Sequence, residues 1–202
     1  MNLKKLVIAT KNPGKYKEFQ YIIKNFSGEN QILAEEIIFA PEIADLIIEE
    51  TGKTYSENAM LKATAWSEKS GLPCLADDSG LEVDALDGAP GLYSARITEG
   101  KNIDRVSWLL CELKSSHNRK ARFVASLALC VPDEYLLICN GYCDGIIRNS
   151  PAGSNGFGYD PVFQPDGYNM TFAELNSDIK NSISHRANAF KKIISILNCR
   201  QL

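Results

Sequence analysis

The feature that most constrains this chain is its opening. The run Leu6-Val7-Ile8-Ala9-Thr10 breaks at Lys11-Asn12-Pro13-Gly14 and passes at once into an amphipathic stretch. A short apolar run rich in branched residues reads as a strand, and Phe19, Ile22 and Ile23, spaced across Lys15 to Lys24, face one side of a helix. A strand feeding a helix through a short loop is the repeating unit of an α/β fold.

The same alternation continues. Thr54-Tyr55-Ser56-Glu57 matches a capping box and opens a helix through Ala59, Leu61, Ala63 and Trp66 to about Ser70, where Gly71 supplies the stop. Pro73 to Ala76 predicts a short strand ending at Asp77-Asp78-Ser79-Gly80, and Leu81 to Leu86 predicts another. Ile103 to Lys114 predicts a helix, and Ala121 to Val131 and Tyr135 to Gly141 predict paired strands around a Pro132-Asp133 turn. Ser150 to Asn169, rich in Gly, Pro, Asn and Asp, reads as a loop of defined shape. Thr171-Phe172-Ala173-Glu174 repeats the capping-box pattern, and a last helix runs from about Ser184 to Asn198 with Ala187, Phe190, Ile194 and Leu197 turned inward. No repeat or long linker interrupts this, so residues 1–202 read as one domain. Strand order does not follow from the pattern.

Composition narrows the partners. A hydrophobic content of 45% with 23% charged residues supports a real core, and no run approaches the roughly 18 to 20 apolar residues of a membrane span. The basic Lys4-Lys5 pair precedes an apolar run that ends at Lys11, too short for the ~7 to 15 residues of a signal peptide core, so a soluble, cytoplasmic protein is expected. A net charge of -3 argues against a broad basic face for nucleic acid, yet a polyphosphate can still bind where a few cations and a metal ion neutralise it. The six cysteines form no CxxC pair and read as reduced, buried small hydrophobes. His117 and His185 lie at no ligand spacing from a cysteine pair, which argues against zinc.

Five segments carry residues suited to chemistry. Thr10-Lys11-Asn12-Pro13-Gly14-Lys15 joins strand to helix, where unpaired N–H groups and the helix dipole favour an anion. Gly14 permits close backbone approach and Lys15 adds charge, although the segment is not a P-loop and by itself is an ordinary Asn-Pro-Gly turn. Asp77-Asp78-Ser79-Gly80 places two carboxylates at a strand end, one side chain each way, so at most one faces a given pocket. Such oxygens suit Mg²⁺ or the orientation of an attacking water, and they are equally at home in a polar turn. Glu49-Glu50 offers a second carboxylate, or simply an exposed acidic pair ahead of a helix. Gly153-Ser154-Asn155-Gly156-Phe157-Gly158-Tyr159-Asp160-Pro161 combines bare backbone with flat faces, a composition suited to stacking on a base. Lys180 to Arg186 brings cations close to a helix N-terminus, an unfavourable place unless an anion compensates.

Taken in order, these segments resemble the inosine/xanthosine triphosphate pyrophosphatase family, the XTP/dITP diphosphatases. The most specific blocks are Leu75 to Leu81 continuing into Gly88-Ala89-Pro90-Gly91-Leu92-Tyr93-Ser94-Ala95-Arg96, then Gly156 to Pro161, then Ser184-His185-Arg186; Asn58-Ala59 and Lys62-Ala63 also fit. The resemblance implies an α/β fold with an elongated mixed sheet flanked by helices, two lobes with a nucleotide cleft between them, and a homodimer. It implies that Thr10, Lys11, Asn12, Pro13, Gly14 and Lys15 hold a triphosphate, and that Asp78 is catalytic base and Mg²⁺ ligand. Glu50 would be the further ligand, with Glu49 its nearest rival. Ser79 would touch the nucleotide, and Phe157, Gly158, Tyr159, Asp160, Lys180, His185 and Arg186 would bind base, sugar and phosphates. The implied reaction is hydrolysis of ITP, dITP or XTP to the monophosphate and pyrophosphate. A related pyrophosphatase of the septum-formation type, a nucleotide-binding regulator without turnover, and an unrelated α/β domain whose motifs are turns are the alternatives.

Overall fold

Apolar runs become strands and amphipathic runs become helices in the computed structural model, which describes residues 3–26, 33–99 and 104–199. In chain order these are β1 (Leu3–Ala9), α1 (Pro13–Phe26), β2 (Ala34–Phe39), α2 (Tyr55–Ser70), β3 (Cys74–Val83), α3 (Arg105–Glu112), β4 (Lys120–Val131), β5 (Tyr135–Ile147), β6 (Phe163–Pro165), α4 (Ser177–Ile183) and α5 (His185–Cys199). Among the described residues the strands form one mixed sheet in the order β2-β1-β3-β4-β5-β6. β1 runs parallel to β2, with Ile8 opposite Phe39, and parallel to β3, with Ala9 opposite Ala76. Parallel neighbours need crossovers, which α1 and α2 supply.

The chain forms two compact units. The first comprises Met1–Asp78, Ala125–Gly141 and Arg186–Leu202, and the second Ser79–Val124 and Tyr142–His185, so β3, β4 and β5 contribute residues to both. In the first unit the period-two alternation of a strand sorts the core onto two faces. Leu6, Ile8, Leu75, Leu127 and Leu129 pack with Phe19, Ile22 and Ile23 of α1 and with Ala187, Phe190 and Ile193 of α5. Val7, Ala9, Cys74, Ala76 and Ala128 pack instead with Ala59, Ala63 and Trp66 of α2. β1 therefore lies between β2 and β3 with helices on opposite faces, and the carboxyl ends of its parallel strands are where such folds hold ligands.

The second unit gathers Leu81, Val83, Leu109, Phe123, Phe163 and Phe172. The Phe123 and Phe163 rings meet edge to face at 4.6 Å, and the His185 ring stacks on Phe123 at 4.8 Å.

The structure corrects several predicted boundaries. β3 is one strand from Cys74 to Val83, not two strands split by a turn at Asp77-Asp78-Ser79-Gly80. β5 continues past Gly141 to Ile147. The helix expected from Ile103 begins at Arg105, with the Asp104 carboxylate accepting the Val106 and Ser107 N–H groups; Ile103 lies outside the described residues. The Ser150 to Asn169 segment contains β6. β2 and α4 were not predicted.

The second capping-box sequence makes its bonds without a helix. Thr171 N–H donates to Glu174 at 2.8 Å and Glu174 N–H to Thr171 Oγ1 at 3.3 Å, but the turn stops there. Asn176 then caps α4 by accepting the Ile179 N–H. The six cysteines are free thiols, with Cys111 and Cys199 exposed rather than buried. No helix among the described residues is long and apolar enough to cross a membrane.

Candidate active site

The Thr10 loop follows β1, and Asp77 and Asp78 lie on β3 next along from the Ala9–Ala76 register pair. Strand alternation sends the two carboxylates apart. Asp77 shares the face of Leu75, toward α1 and α5, and Asp78 shares the face of Cys74 and Ala76, toward α2.

On the Asp77 face, four charges meet, three of them buried. Lys15 Nζ lies 2.6 Å from Asp77 Oδ2, Arg186 Nε donates to the same oxygen at 3.2 Å, and Arg186 Nη1 donates to Glu18 at 2.8 Å. Glu18, Asp77 and Arg186 are buried. Burial alone would raise the Asp77 pKa, but Arg186 and Lys15 hold its carboxyl far below the usual carboxylate range. Burial also draws the Lys15 ammonium below its ordinary value, with Asp77 opposing.

On the Asp78 face, Lys62 Nζ lies 2.6 Å from Glu50 Oε1 and 3.0 Å from Asp78 Oδ1. Asn58 Nδ2 donates to the other Asp78 oxygen at 3.2 Å. Burial pushes the Asp78 carboxyl above its ordinary pKa; Lys62 opposes this and Glu50 adds to it. Burial would lower the Lys62 pKa, yet Asp78 and Glu50 together raise it. Burial therefore prevails at Asp78, whereas the surrounding carboxylates prevail at Lys62. Glu50 makes this contact; Glu49 is exposed. Among the described residues no cluster of three or more His, Cys, Asp or Glu could hold an ion by itself. Glu50 and Asp78 are thus a pair of carboxylates converging on one cationic group.

The expected phosphate loop is more occupied than its sequence implies. Asn12 Oδ1 accepts the Gly14 N–H at 2.8 Å and the Lys15 N–H at 3.2 Å, while Asn12 N–H donates to Thr10 Oγ1. Asn12 therefore caps α1 and Pro13 takes the first helical position, where its missing N–H costs nothing. Lys11 is exposed and pairs with Asp45 at 2.6 Å.

In the second unit, Lys180 Nζ sits 2.6 Å from Asp160 Oδ2, which also accepts the Phe157 N–H at 2.7 Å. The ammonium lies 5.1 Å from the Phe157 ring centroid. A Cβ on Gly156 would come within 2.0 Å of Asp160, so that position has to be glycine, and its φ of +75° agrees. Gly158 also has positive φ. Tyr159 is buried and its hydroxyl donates to the Ser94 carbonyl, with burial pushing its pKa up to about 12. His185 is buried against Phe123, and Ser79 is half-buried.

The helix-dipole argument for the cations needs revision. Lys180 stands in the last turn of α4, where a cation is favoured, and Arg186 opens α5 with its charge met by Asp77 and Glu18. Protein carboxylates supply the compensating anions.

Of the predicted residues, Thr10 to Lys15, Glu50, Asp78 and Arg186 belong to the first unit. Ser79, Phe157, Gly158, Tyr159, Asp160, Lys180 and His185 belong to the second. The prediction omitted Glu18, Asn58, Lys62 and Asp77. Asn58 and Lys62 carried a usable signal: spaced four apart, they are polar neighbours on one face of a helix otherwise lined by Ala59, Ala63 and Trp66.

The chain belongs to the Ham1 family, whose model it matches over residues 6–196. Among solved structures it resembles the Ham1 protein of Staphylococcus aureus, at TM-score 0.81 and 38% identity, covering 98% of this chain and 100% of that one. A HAM1 protein from Coxiella burnetii gives TM-score 0.80 and 38% identity over 96% of this chain and 98% of that one. A curated relative from Oceanobacillus iheyensis, 46% identical over 95% of this chain and 96% of its own length, is named dITP/XTP pyrophosphatase.

Proposed function

We propose that this chain is a magnesium-dependent nucleoside-triphosphate pyrophosphatase. It hydrolyses the deaminated purine nucleotides ITP, dITP and XTP between the α and β phosphates, yielding the monophosphate and pyrophosphate. The observation that carries this reading is the convergence of Glu50 and Asp78 on the Lys62 ammonium, with Asp78 just past the register that pairs β3 with the end of β1. The naming of near relatives as dITP/XTP pyrophosphatases supports it. The family resemblance adds a cytoplasmic homodimer to the proposal.

Two hard carboxylates fit Mg²⁺, which is commonly held by one or two protein carboxylates and takes the rest of its shell from water and substrate phosphate. When bound, it supplies Lewis-acid polarisation of the phosphoryl oxygens. Lys62 keeps the two carboxylates together, and Asp78 accepts the proton of the attacking water. A carboxyl whose pKa burial raises is a better base than an exposed one. Lys15, pinned by Asp77, offsets phosphate charge. Donors to a 6-oxo group would be left opposite the amino group of adenine, which disfavours ATP.

Pyrophosphate release from ITP, XTP, dTTP, GTP and ATP tests the proposal. ITP and XTP turnover that needs Mg²⁺ and is lost in Asp78→Asn is the expected result. ATP or GTP cleaved as efficiently as ITP would defeat the substrate assignment, and efficient dTTP cleavage would favour the septum-formation type. No turnover of any substrate would leave a binding protein.

A further inference from the structure

α2 brings a second polar side chain into the Asp78 site. Asn58 is 2% exposed, one turn before Lys62, and both ends of its amide are used. Its Oδ1 accepts the Gly52 N–H at 2.8 Å, and its Nδ2 donates to Asp78 Oδ2 at 3.2 Å. The partners settle the orientation of the amide: a backbone N–H requires the oxygen and a carboxylate requires the NH₂. Asn58 thus ties the segment carrying Glu50 to the strand carrying Asp78. Gly52 makes the tie possible, since a Cβ there would lie 2.6 Å from Asn58 Oδ1 and 2.7 Å from Glu57 Cβ.

Each Asp78 oxygen then receives one donor from α2, Lys62 on Oδ1 and Asn58 on Oδ2, which fixes the plane of the carboxylate. Lys62 also holds Glu50 by its side chain, while Asn58 holds the same segment by its backbone two residues further on. The ammonium can trade a carboxylate for another anion. The amide stays neutral and keeps its place when charges in the site change.

We propose that Asn58 is a positioning residue that presets the spacing and orientation of Glu50 and Asp78, so that a divalent cation meets a converged pair of carboxylates. This rests on the metal-dependent reading of the site given above. Partners that orient metal ligands commonly account for about 10–100-fold in metal affinity. The effect belongs to metal binding and to the metal concentration that activity requires, with a smaller effect on turnover once metal saturates.

The test is Mn²⁺ binding, followed by calorimetry and by Mn²⁺ electron paramagnetic resonance, on the wild type, Asn58→Ala, Asn58→Gln and Gly52→Ala. Melting of each variant is recorded alongside. Asn58→Ala is expected to bind Mn²⁺ about 10–100-fold more weakly, with the half-activating Mg²⁺ concentration raised in parallel and kcat at saturating metal reduced much less. Asn58→Gln, which keeps both groups, is expected to recover part of the affinity. Should Asn58→Ala fail to fold, Gly52→Ala decides, because its methyl displaces the amide without emptying the core under α2; the same weakening is expected. Folded Asn58→Ala or Gly52→Ala protein that binds Mn²⁺ within about twofold of wild type, whatever its melting temperature, overturns the proposal. Failure of the wild type itself to bind Mn²⁺ removes the metal-dependent reading, and the positioning role with it.

Discussion

Adjacent residues Asp77 and Asp78 show how one step along a strand changes what a carboxylate does. Asp77 is held as an anion by the buried Arg186 and the half-buried Lys15, so its folded pKa lies below the unfolded value of about 3.9. Its stabilising contribution is therefore complete above that value and lost as the pH falls below it. Asp77→Asn strands Lys15 and Arg186 with too little negative charge, and a loss of about 3–5 kcal/mol is expected in urea unfolding at pH 7. The acid limb of the stability–pH curve should flatten in the same variant. Asp78 has the opposite sign, because its folded pKa is raised and ionisation at neutral pH works against folding. Asp78→Asn should be inactive with Mg²⁺ present and, without metal, at least as stable as wild type at pH 7, a trade of activity for stability. An Asp78→Asn protein that melts well below wild type would contradict this account.

Among the elements, α2 was the most legible. Thr54 accepts the Glu57 N–H, Glu57 accepts in return, and Gly71 closes the helix with a φ of +67°, all as the pattern Thr-x-x-Glu followed by Gly predicts. Thr54→Ala should cost about 1 kcal/mol, or about 2–4 °C in Tm for a protein of this size, measurable by circular dichroism. The same pattern at Thr171 makes its bonds without opening a helix, because the cap of the next helix is Asn176, five residues on. Local bonds were legible there and the element was not. β3 failed for a different reason. Asp77-Asp78-Ser79-Gly80 has turn composition, but partners distant in sequence neutralise its carboxylates, and the extended backbone survives. Site residues followed the same division. The family resemblance grouped Asp78 with Glu50, and the structure brings both carboxylates to Lys62. Glu18 and Asp77 act through buried contacts with residues distant in the chain, which sequence spacing does not display, and Asn12 caps α1, so the N–H groups of that turn are not left open.

At the scale of the whole molecule, each unit is assembled from pieces far apart in the chain, and three strands run through both. Unfolding should therefore be a single event. Trp66 belongs to the first unit and Trp108 to the second, and these are the chain's two tryptophans. Trp108→Phe and Trp66→Phe proteins should each show a fluorescence midpoint in urea that coincides with their own circular dichroism midpoint; separated midpoints would mean that the units unfold independently. The pairing of Glu18 with Arg186, 168 residues apart, has a consequence in time as well as in space. At about 5–20 residues per second of synthesis, on the order of 10–30 seconds separate the emergence of one partner from that of the other. During that interval Glu18 and Asp77 lack the guanidinium that makes their burial tolerable, so the nascent chain has reason to keep them in water. The first unit can close only when α5 leaves the ribosome, and a messenger cut short before Arg186 would yield a chain left to the proteases.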